Sequence, residues 1–120
     1  MKALLLSVTP MIPSGPNLAE ALRFFTEHLG FSTLWQTEAT AGIQRDTLAF
    51  NLVQNNVRAW ADNASFSIAV SDLDSLYAEY SAFPSTLGPL EVKPWGRREF
   101  HMILPSGVCL QFYQQDASSE

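Results

Sequence analysis

Few side chains of this 120-residue chain are suited to chemistry, because it has only two histidines and one cysteine. His101 lies two residues after Glu99 in an alternating stretch, so both side chains should point to the same face of a strand. If that face is inward, a carboxylate beside an imidazole would support general acid-base catalysis. If it is outward, they form an ordinary surface pair. His28 lies near the end of a predicted helix, where we expect a solvated cation that complements the helix dipole.

Covalent and nucleotide chemistry have no support in the sequence. No Gly-x-Ser-x-Gly elbow and no glycine-rich phosphate loop are present. Cys109 is the single cysteine, which excludes an internal disulfide, and alternation places it on an apolar strand face as a buried, inert thiol. This cysteine usage fits a reducing compartment, and we expect a cytoplasmic protein.

Aromatic residues next to polar ones are the stronger signal. Trp60 and Trp95 lie in predicted loops, and Trp35 is followed by Gln36 and Thr37 in a predicted strand. Large flat side chains bind planar ligands well, although most aromatic residues of a small domain belong to its core. We predict a ligand-binding set that combines aromatic with polar and acidic residues: Trp35, Phe50, Trp60, Asp62, Trp95, Glu99 and His101.

The net charge of −5 argues against a nucleic-acid partner, since the few basic residues are scattered along the chain. A cationic or neutral small molecule is the better candidate. The simpler alternative is that the negative net charge only keeps the protein soluble and has no role in ligand binding. The apolar run after Lys2 stops at Pro10 without a small-residue cleavage site, so we interpret it as a first strand rather than a signal peptide.

Hydrophobic periodicity predicts two successive β-α-β-β-β modules, at about residues 1–60 and 61–120 of a single α+β domain. A helix with apolar positions Leu18, Ala21, Leu22, Phe25 and Leu29 should begin at a cap, either Ser14 or Asn17, and end at Gly30. The predicted strands of the first module are Leu4–Ile12, Phe31–Glu38, Gly42–Arg45 and Thr47–Gln54, with a loop around Val57–Trp60 after them.

The second module should begin with a strand over Ser65–Val70 and a helix over Asp72–Phe83. The helix carries Leu73, Leu76, Tyr77 and Tyr80 on one face. A strand group begins at Leu87–Val92. Alternation from Arg98 to Leu104, followed by Pro105-Ser106-Gly107, then predicts a hairpin whose second strand runs to Tyr113.

Three stretches in the expected order resemble the vicinal oxygen chelate superfamily, which includes glyoxalase I, bleomycin-resistance and fosfomycin-resistance proteins and extradiol dioxygenases. They are the end of the first helix, Phe24–Phe31, the segment Val70-Ser71-Asp72-Leu73-Asp74, and Trp95-Gly96-Arg97-Arg98-Glu99-Phe100 followed by Pro105-Ser106-Gly107. The resemblance implies two curved mixed sheets around a cleft. It also implies a homodimer that completes the cleft, in which modules are often exchanged.

The resemblance also locates the positions where enzymes of the family hold a divalent metal. They correspond to Thr9, Asn51, Ser65 and Gln111, and none of these is His, Asp, Glu or Cys. Uncharged amides and hydroxyls bind first-row metals poorly unless anionic ligands bind the same metal. We therefore predict no metal and no other cofactor.

Three functions follow, in order of preference. The first is a metal-independent protein resembling bleomycin-resistance proteins, which sequesters an antibiotic-like or metabolite ligand in an aromatic, acidic dimer cleft, for example a bleomycin-like cationic glycopeptide. The second is a metal-dependent lyase or dioxygenase of the glyoxalase type. The third is a dimeric scaffold without a ligand. Metal content discriminates between the first two.

Overall fold

The computed structural model describes residues 2–82 and 87–115 and shows an α+β fold. It contains two compact units, the first ending at Asn55 and the second beginning at Asn56. Each has a four-stranded mixed sheet. The elements of the first unit are β1 (Met11–Pro13), α1 (Leu18–Arg23), a π-helical turn (Phe24–His28), β2 (Ser32–Gln36), β3 (Thr40–Arg45) and β4 (Leu48–Val53). Those of the second are α2 (Arg58–Asn63), β5 (Ser65–Val70), α3 (Leu73–Tyr80), β6 (Glu91–Val92), β7 (Arg98–Ile103) and β8 (Cys109–Gln114).

The two sheets share one topology. Their strand orders are β1-β4-β3-β2 and β5-β8-β7-β6, and the first strand of each module runs parallel to the last. The other neighbours are antiparallel. The first and second strands of each module are therefore its sheet edges, in both repeats of β-α-β-β-β.

The first helix forms as predicted, with a different ending. Asn17 is the cap, since its side-chain oxygen accepts a hydrogen bond from the Glu20 backbone N–H at 3.1 Å. The last turn widens, and the Leu29 N–H reaches back to the Phe24 carbonyl at 3.3 Å. Gly30 follows with a φ of +82°, the left-handed conformation that favours glycine.

Apolar residues of each helix pack on one face of its own sheet. In the first unit Leu22, Phe25 and Phe31 are buried, together with strand residues such as Phe50 and Leu52. In the second unit the buried set includes Leu73, Tyr80, Phe100, Met102, Leu110 and Phe112. The Phe100 and Phe112 rings stack at 5.0 Å between centroids, and Tyr77 and Tyr80 of α3 contact them edge-on. The opposite face of each sheet remains available to position functional groups.

The predicted first strand is wrong over most of its length. Only Met11–Pro13 pairs with β4, and residues 2–10 precede the strand. Leu4, Leu5, Leu6 and Val8 are largely exposed. A run of apolar residues favours a strand, but a strand also needs a neighbour for its backbone groups, which the sequence does not identify.

The loop predicted around Val57–Trp60 is a short helix, α2. Arg58 Nε and Asp62 Oδ1 form an i,i+4 ion pair at 2.9 Å, and Asn63 Nδ2 donates to the Ala59 carbonyl at 2.7 Å. These two side-chain contacts within α2 stabilise a turn whose polar composition is more typical of a loop.

The second helix begins as predicted, with Asp72 as its cap, and ends at Tyr80. The predicted last residue, Phe83, lies outside the described residues. Of the predicted strand Leu87–Val92, only Glu91–Val92 forms β6, while Leu87 makes an isolated bridge to Met102. None of the helices that the structure describes has the length and apolar character needed to cross a membrane.

Candidate functional site

The face of the second sheet opposite its aromatic core carries most of the polar candidates. Strand alternation and register place them in rows, with Glu99 beside Tyr113 and His101 beside Gln111. Ser67 of β5 lies beside Gln111 on its other side, and its hydroxyl donates to Gln111 Oε1 at 3.0 Å. The structure thus brings Glu99 and His101 to one face, as the two-residue spacing predicts.

Trp95 lies on a tight turn that leads into β7. The Gly96 N–H donates to the Lys93 carbonyl at 2.8 Å, and the Lys93 N–H donates to the Arg97 carbonyl at 3.0 Å. Pro94 occupies the second turn position, which its fixed φ favours. The Trp95 residue is 65% exposed, the largest exposure among the three tryptophans. The turn therefore presents an indole to solvent on a constrained backbone.

Glu99 is the buried acidic residue behind this turn, with only 3% of its surface exposed. Its Oε2 accepts a hydrogen bond from Arg97 Nε at 2.8 Å and a longer one from Trp95 Nε1 at 3.5 Å. The Arg97 guanidinium also lies over the Tyr113 ring, with its central carbon 4.0 Å from the ring centroid. We call Trp95, Arg97, Glu99 and Tyr113 the Trp95 cluster.

Charges around the Trp95 cluster are paired one to one. Arg97 offsets Glu99, Lys93 Nζ contacts Glu91 Oε1 at 2.9 Å, and Arg98 forms a two-bonded pair with Asp74. The Arg98 guanidinium holds the pKa of the Asp74 carboxyl below its usual range, and Asp74 raises the pKa of Arg98. The cluster offers aromatic surface rather than a concentration of negative charge.

His101 lies close to a glycine instead of forming a catalytic pair. Its ring covers the backbone of Gly88, where an added Cβ would lie 2.3 Å from the imidazole Cε1. The Gly88 N–H donates to the His101 carbonyl at 2.8 Å. Meanwhile the neighbouring Glu99 carboxylate accepts from Arg97 and Trp95. The geometry therefore does not support general acid-base catalysis by His101 and Glu99.

Trp60 and Asp62 lie on α2, and both are partly exposed. The Asp62 carboxylate faces the turn between β7 and β8, because a Cβ on Gly107 would lie 2.9 Å from Asp62 Oδ1. Gly107 has a φ of +105°, as the predicted turn requires. Asp62 is thus an exposed acid paired with Arg58.

Trp35 and Phe50 belong to the first unit and differ in accessibility. Trp35 is 44% exposed, and its indole lies over Gly42 of the adjacent strand, where an added Cβ would lie 2.2 Å from Nε1. Phe50 is 1% exposed and packs against Phe25 and Phe31. Because a ligand would have to open the core to reach Phe50, we leave it out of the proposed site.

The residues at the family's metal positions do not fit a metal. Thr9 is exposed before β1, Asn51 lies on β4, Ser65 on β5 and Gln111 on β8. The side-chain oxygen of Gln111, the atom of this residue that could bind a metal, already accepts a hydrogen bond from the Ser67 hydroxyl. Among the described residues, no three His, Cys, Asp or Glu side chains lie together as a metal site requires. We derive no chemistry through a metal.

Cys109 is half-buried on the same sheet face as Gln111. Burial raises the pKa of its thiol above the usual value, and the nearby Glu99 charge acts in the same direction. Hydrogen bonds with Ser65 and Gln111 oppose the rise in pKa only partly. The predicted burial on an apolar face is therefore wrong, because Cys109 is only half-buried and shares its face with polar side chains. The raised pKa still favours the predicted low reactivity.

Arg97 and Tyr113 are the site residues that the sequence analysis does not select, and Tyr113 enters it only as the end of a predicted strand. A signal is present in the spacing, because Arg97 directly precedes β7 and stands two residues before Glu99, as Glu99 stands two before His101. The cross-strand register that places Tyr113 beside Glu99 cannot be derived from the sequence.

Comparisons with known proteins agree with the fold. The family model described as Glyoxalase/Bleomycin resistance protein/Dioxygenase superfamily matches residues 14–113. A bleomycin-binding protein from bleomycin-producing Streptomyces verticillus, solved with copper(II)-bleomycin, is 25% identical over 96% of this chain and 100% of that chain, with a TM-score of 0.86. A comparison with curated protein sequences gives no match.

Two further solved structures show the fold alone. The bleomycin resistance determinant encoded on transposon Tn5 is 20% identical over 93% of this chain and 99% of that chain, with a TM-score of 0.82. Lactoylglutathione lyase from Agrobacterium tumefaciens is 10% identical over 90% of this chain and 92% of that chain, with a TM-score of 0.70. The same architecture thus occurs in proteins named for binding and for catalysis, so function must be argued from the site.

Proposed function

This chain belongs to the glyoxalase/bleomycin resistance protein/dioxygenase superfamily, and from that premise we propose that it is a binding protein that sequesters a small antibiotic-like or metabolite ligand. The observation that carries the proposal is the Trp95 turn, which holds an indole in solvent next to a buried acceptor. A large ring on a constrained turn offers flat contact area that a ligand can use at low entropy cost. A planar ligand that stacks on the ring is a suitable occupant.

The ligand we propose is planar, heteroaromatic and neutral or cationic. Trp95 supplies stacking area, and Trp35 and Trp60 are the other partly exposed tryptophans. Asp62 and the overall charge of −5 favour a cation over an anion. Glu99 contributes little as a free charge, because Arg97 neutralises it. A bleomycin-like glycopeptide with a basic tail has this chemistry, and the solved Streptomyces verticillus protein contains copper(II)-bleomycin.

We further propose that the protein acts as a homodimer and that the ligand occupies a cleft completed by the second subunit. The exposed apolar residues before β1 support the dimer, since Leu4, Leu5, Leu6 and Val8 would be costly to leave in water. The binding requires no metal, because the side chains at the family's metal positions are uncharged.

Fluorescence titration with metal-free bleomycin tests the proposal. Saturable quenching at one ligand per subunit would support it. Spermidine is the matched control, because it carries positive charge without rings and should quench far less if stacking supplies the affinity. No saturable signal from bleomycin, in a protein shown to be folded by circular dichroism, would overturn bleomycin as a ligand.

Elemental analysis of the same preparation tests the proposed independence from metal. The protein is loaded with excess zinc, nickel and manganese and then desalted. We expect less than stoichiometric metal to remain. Stoichiometric retention at a defined site would contradict the proposal and favour the glyoxalase-type enzyme instead.

A further inference from the structure

The environment of Glu99 gives this residue a role that its charge alone does not indicate. A carboxylate that attracts a cationic ligand should be exposed, whereas Glu99 is 3% exposed. A buried carboxylate needs partners that satisfy its charge, and it restrains the groups that provide them. The two groups that donate to Glu99 Oε2 belong to Trp95, which lies on the turn, and to Arg97, which follows it.

Three members of the Trp95 cluster, Arg97, Glu99 and Tyr113, hold one another in place. Arg97 Nε donates to Glu99 at 2.8 Å, and the central carbon of the Arg97 guanidinium lies over the Tyr113 ring, 4.0 Å from its centroid. Glu99 and Tyr113 are cross-strand neighbours in β7 and β8, so the regular sheet fixes their separation. Arg97 is therefore held from two sides, by a carboxylate and by an aromatic face.

The indole of Trp95 is restrained through the same carboxylate. The backbone of the turn is closed by hydrogen bonds between Lys93, Gly96 and Arg97, which leaves the side-chain torsions of Trp95 as its main freedom. The bond from Trp95 Nε1 to Glu99 Oε2, at 3.5 Å, favours one orientation of the ring. Its length makes it weak, and a stacked ligand that excludes water would strengthen it.

We infer that Glu99 is a positioning residue that orients the Trp95 indole and holds Arg97 against Tyr113, so that the ligand meets a preset aromatic surface. A preset surface lowers the entropy lost on binding. This inference rests on the proposed function only for its effect on affinity. The orientation of Trp95 in the ligand-free protein follows from the cluster itself.

The first experiment needs no ligand. The full-length protein is labelled with 5-fluorotryptophan, and the fluorine resonance of Trp95 is assigned with Trp95→Phe. In Glu99→Ala the Trp95 resonance should shift and broaden, while the resonances of Trp35 and Trp60 stay in place. Glu91→Ala is the matched control, because it removes the same charge from the cross-strand neighbour of Glu99 and should leave the Trp95 resonance unchanged. An unchanged Trp95 resonance in folded Glu99→Ala would overturn the inference.

The second experiment separates positioning from attraction of a cation. Glu99→Ala should weaken the binding of metal-free bleomycin by about tenfold or more, the usual effect at a buried residue that organises a binding surface. Glu99→Gln removes the charge but keeps an acceptor of the same length, and it should recover most of the affinity lost in Glu99→Ala. If Glu99→Ala, Glu99→Gln and Glu91→Ala all lose the same affinity for bleomycin, Glu99 acts only by attracting the ligand's positive charge. That result would overturn the inference.

The outcomes also separate this inference from the proposed function. If wild-type protein does not bind bleomycin but the Trp95 resonance responds to Glu99→Ala, the positioning role stands and the ligand proposal fails. If wild-type protein binds and Glu99→Ala changes neither affinity nor the resonance, the ligand proposal stands and the positioning role fails. If Glu99→Ala does not fold, the same measurements are made on Glu99→Gln.

Discussion

At the scale of single residues, Trp95 provides the sharpest test of the binding proposal. Trp95→Ala should weaken bleomycin binding by about tenfold or more, because stacking aromatic residues are common hot spots. It should leave the thermal midpoint nearly unchanged, since the side chain is largely exposed on a turn. Calorimetric titration and thermal melting measure the two effects. A large fall in the midpoint without loss of binding would make Trp95 a structural residue.

Cys109 should react slowly with thiol reagents at neutral pH. The nucleophile is the thiolate, and burial raises the pKa of this thiol above its ordinary value of 9.0. The rate of iodoacetamide alkylation should therefore rise at a higher pH in the folded protein than in urea, where the burial is lost. Identical pH profiles in the two states would contradict the raised pKa.

The candidate residues could be predicted only in part from the sequence. Loop composition correctly pointed to Trp95 as exposed, because glycine and proline around a tryptophan disfavour a core position. Residue type alone suggests Phe50 as a ligand contact, but alternation along β4 places it on the core face. Glu99 was recognised as a neighbour of His101, yet its actual partner, Arg97, depends on rotamers that spacing does not determine.

At the scale of elements, the first helix depends on its apolar face. Leu22→Ala should lower the free energy of unfolding by about 2–5 kcal/mol, the cost of truncating a buried leucine. Glu20→Ala on the exposed side of the same helix should change it by no more than about 0.5 kcal/mol. Urea denaturation of both variants checks this. Equal effects would mean that the buried face is wrongly assigned.

The start of α3 should make stability depend on pH. The Ser75 hydroxyl and backbone N–H donate to the Asp72 carboxylate, and they lower its pKa from the ordinary value of 3.8. A group whose pKa is lowered by folding stabilises the protein above its unfolded pKa, and this contribution is lost as pH falls through the folded pKa. The stability advantage of wild type over Asp72→Asn should therefore shrink in acid.

Urea midpoints of both proteins, from neutral pH down through the carboxyl range, measure this difference. Asparagine is the suitable replacement because it also caps helices but does not titrate. A difference that stays constant across the acid range would show that the Asp72 carboxylate gains nothing from folding.

Elements with a local signal were predictable, and those that depend on distant partners were not. Strand β5 and both caps follow from alternation and from capping side chains, which act within a few residues. The segment before β1 has strand-like composition, but only the three residues of β1 itself find partners in β4. Helix α2 is an exception, since its two side-chain contacts are local but lie in a short segment whose flanking polar residues indicate a loop.

At the scale of the molecule, the exposed segment before β1 should determine the oligomeric state. Leu5 is 101% exposed, and Leu4, Leu6 and Val8 are nearly as accessible, while β1 occupies an edge of its sheet. Edge strands with apolar side chains pair readily with another chain. We therefore expect a dimer in sedimentation velocity, and a shift to monomer when Leu4, Leu5 and Leu6 are all changed to serine.

A matched control removes apolar surface elsewhere. Val57→Ser with Val92→Ser alters two exposed apolar residues outside this segment, and it should leave the dimer intact. Near-ultraviolet circular dichroism shows whether each variant keeps its packed core. A folded leucine-to-serine variant that remains dimeric would place the interface elsewhere. A wild-type monomer would contradict the dimer itself, and the proposed ligand would then have to be held by the surfaces of one chain. In that case the Trp95 cluster, which needs no second subunit for its own geometry, would be the part of the proposed site that remains.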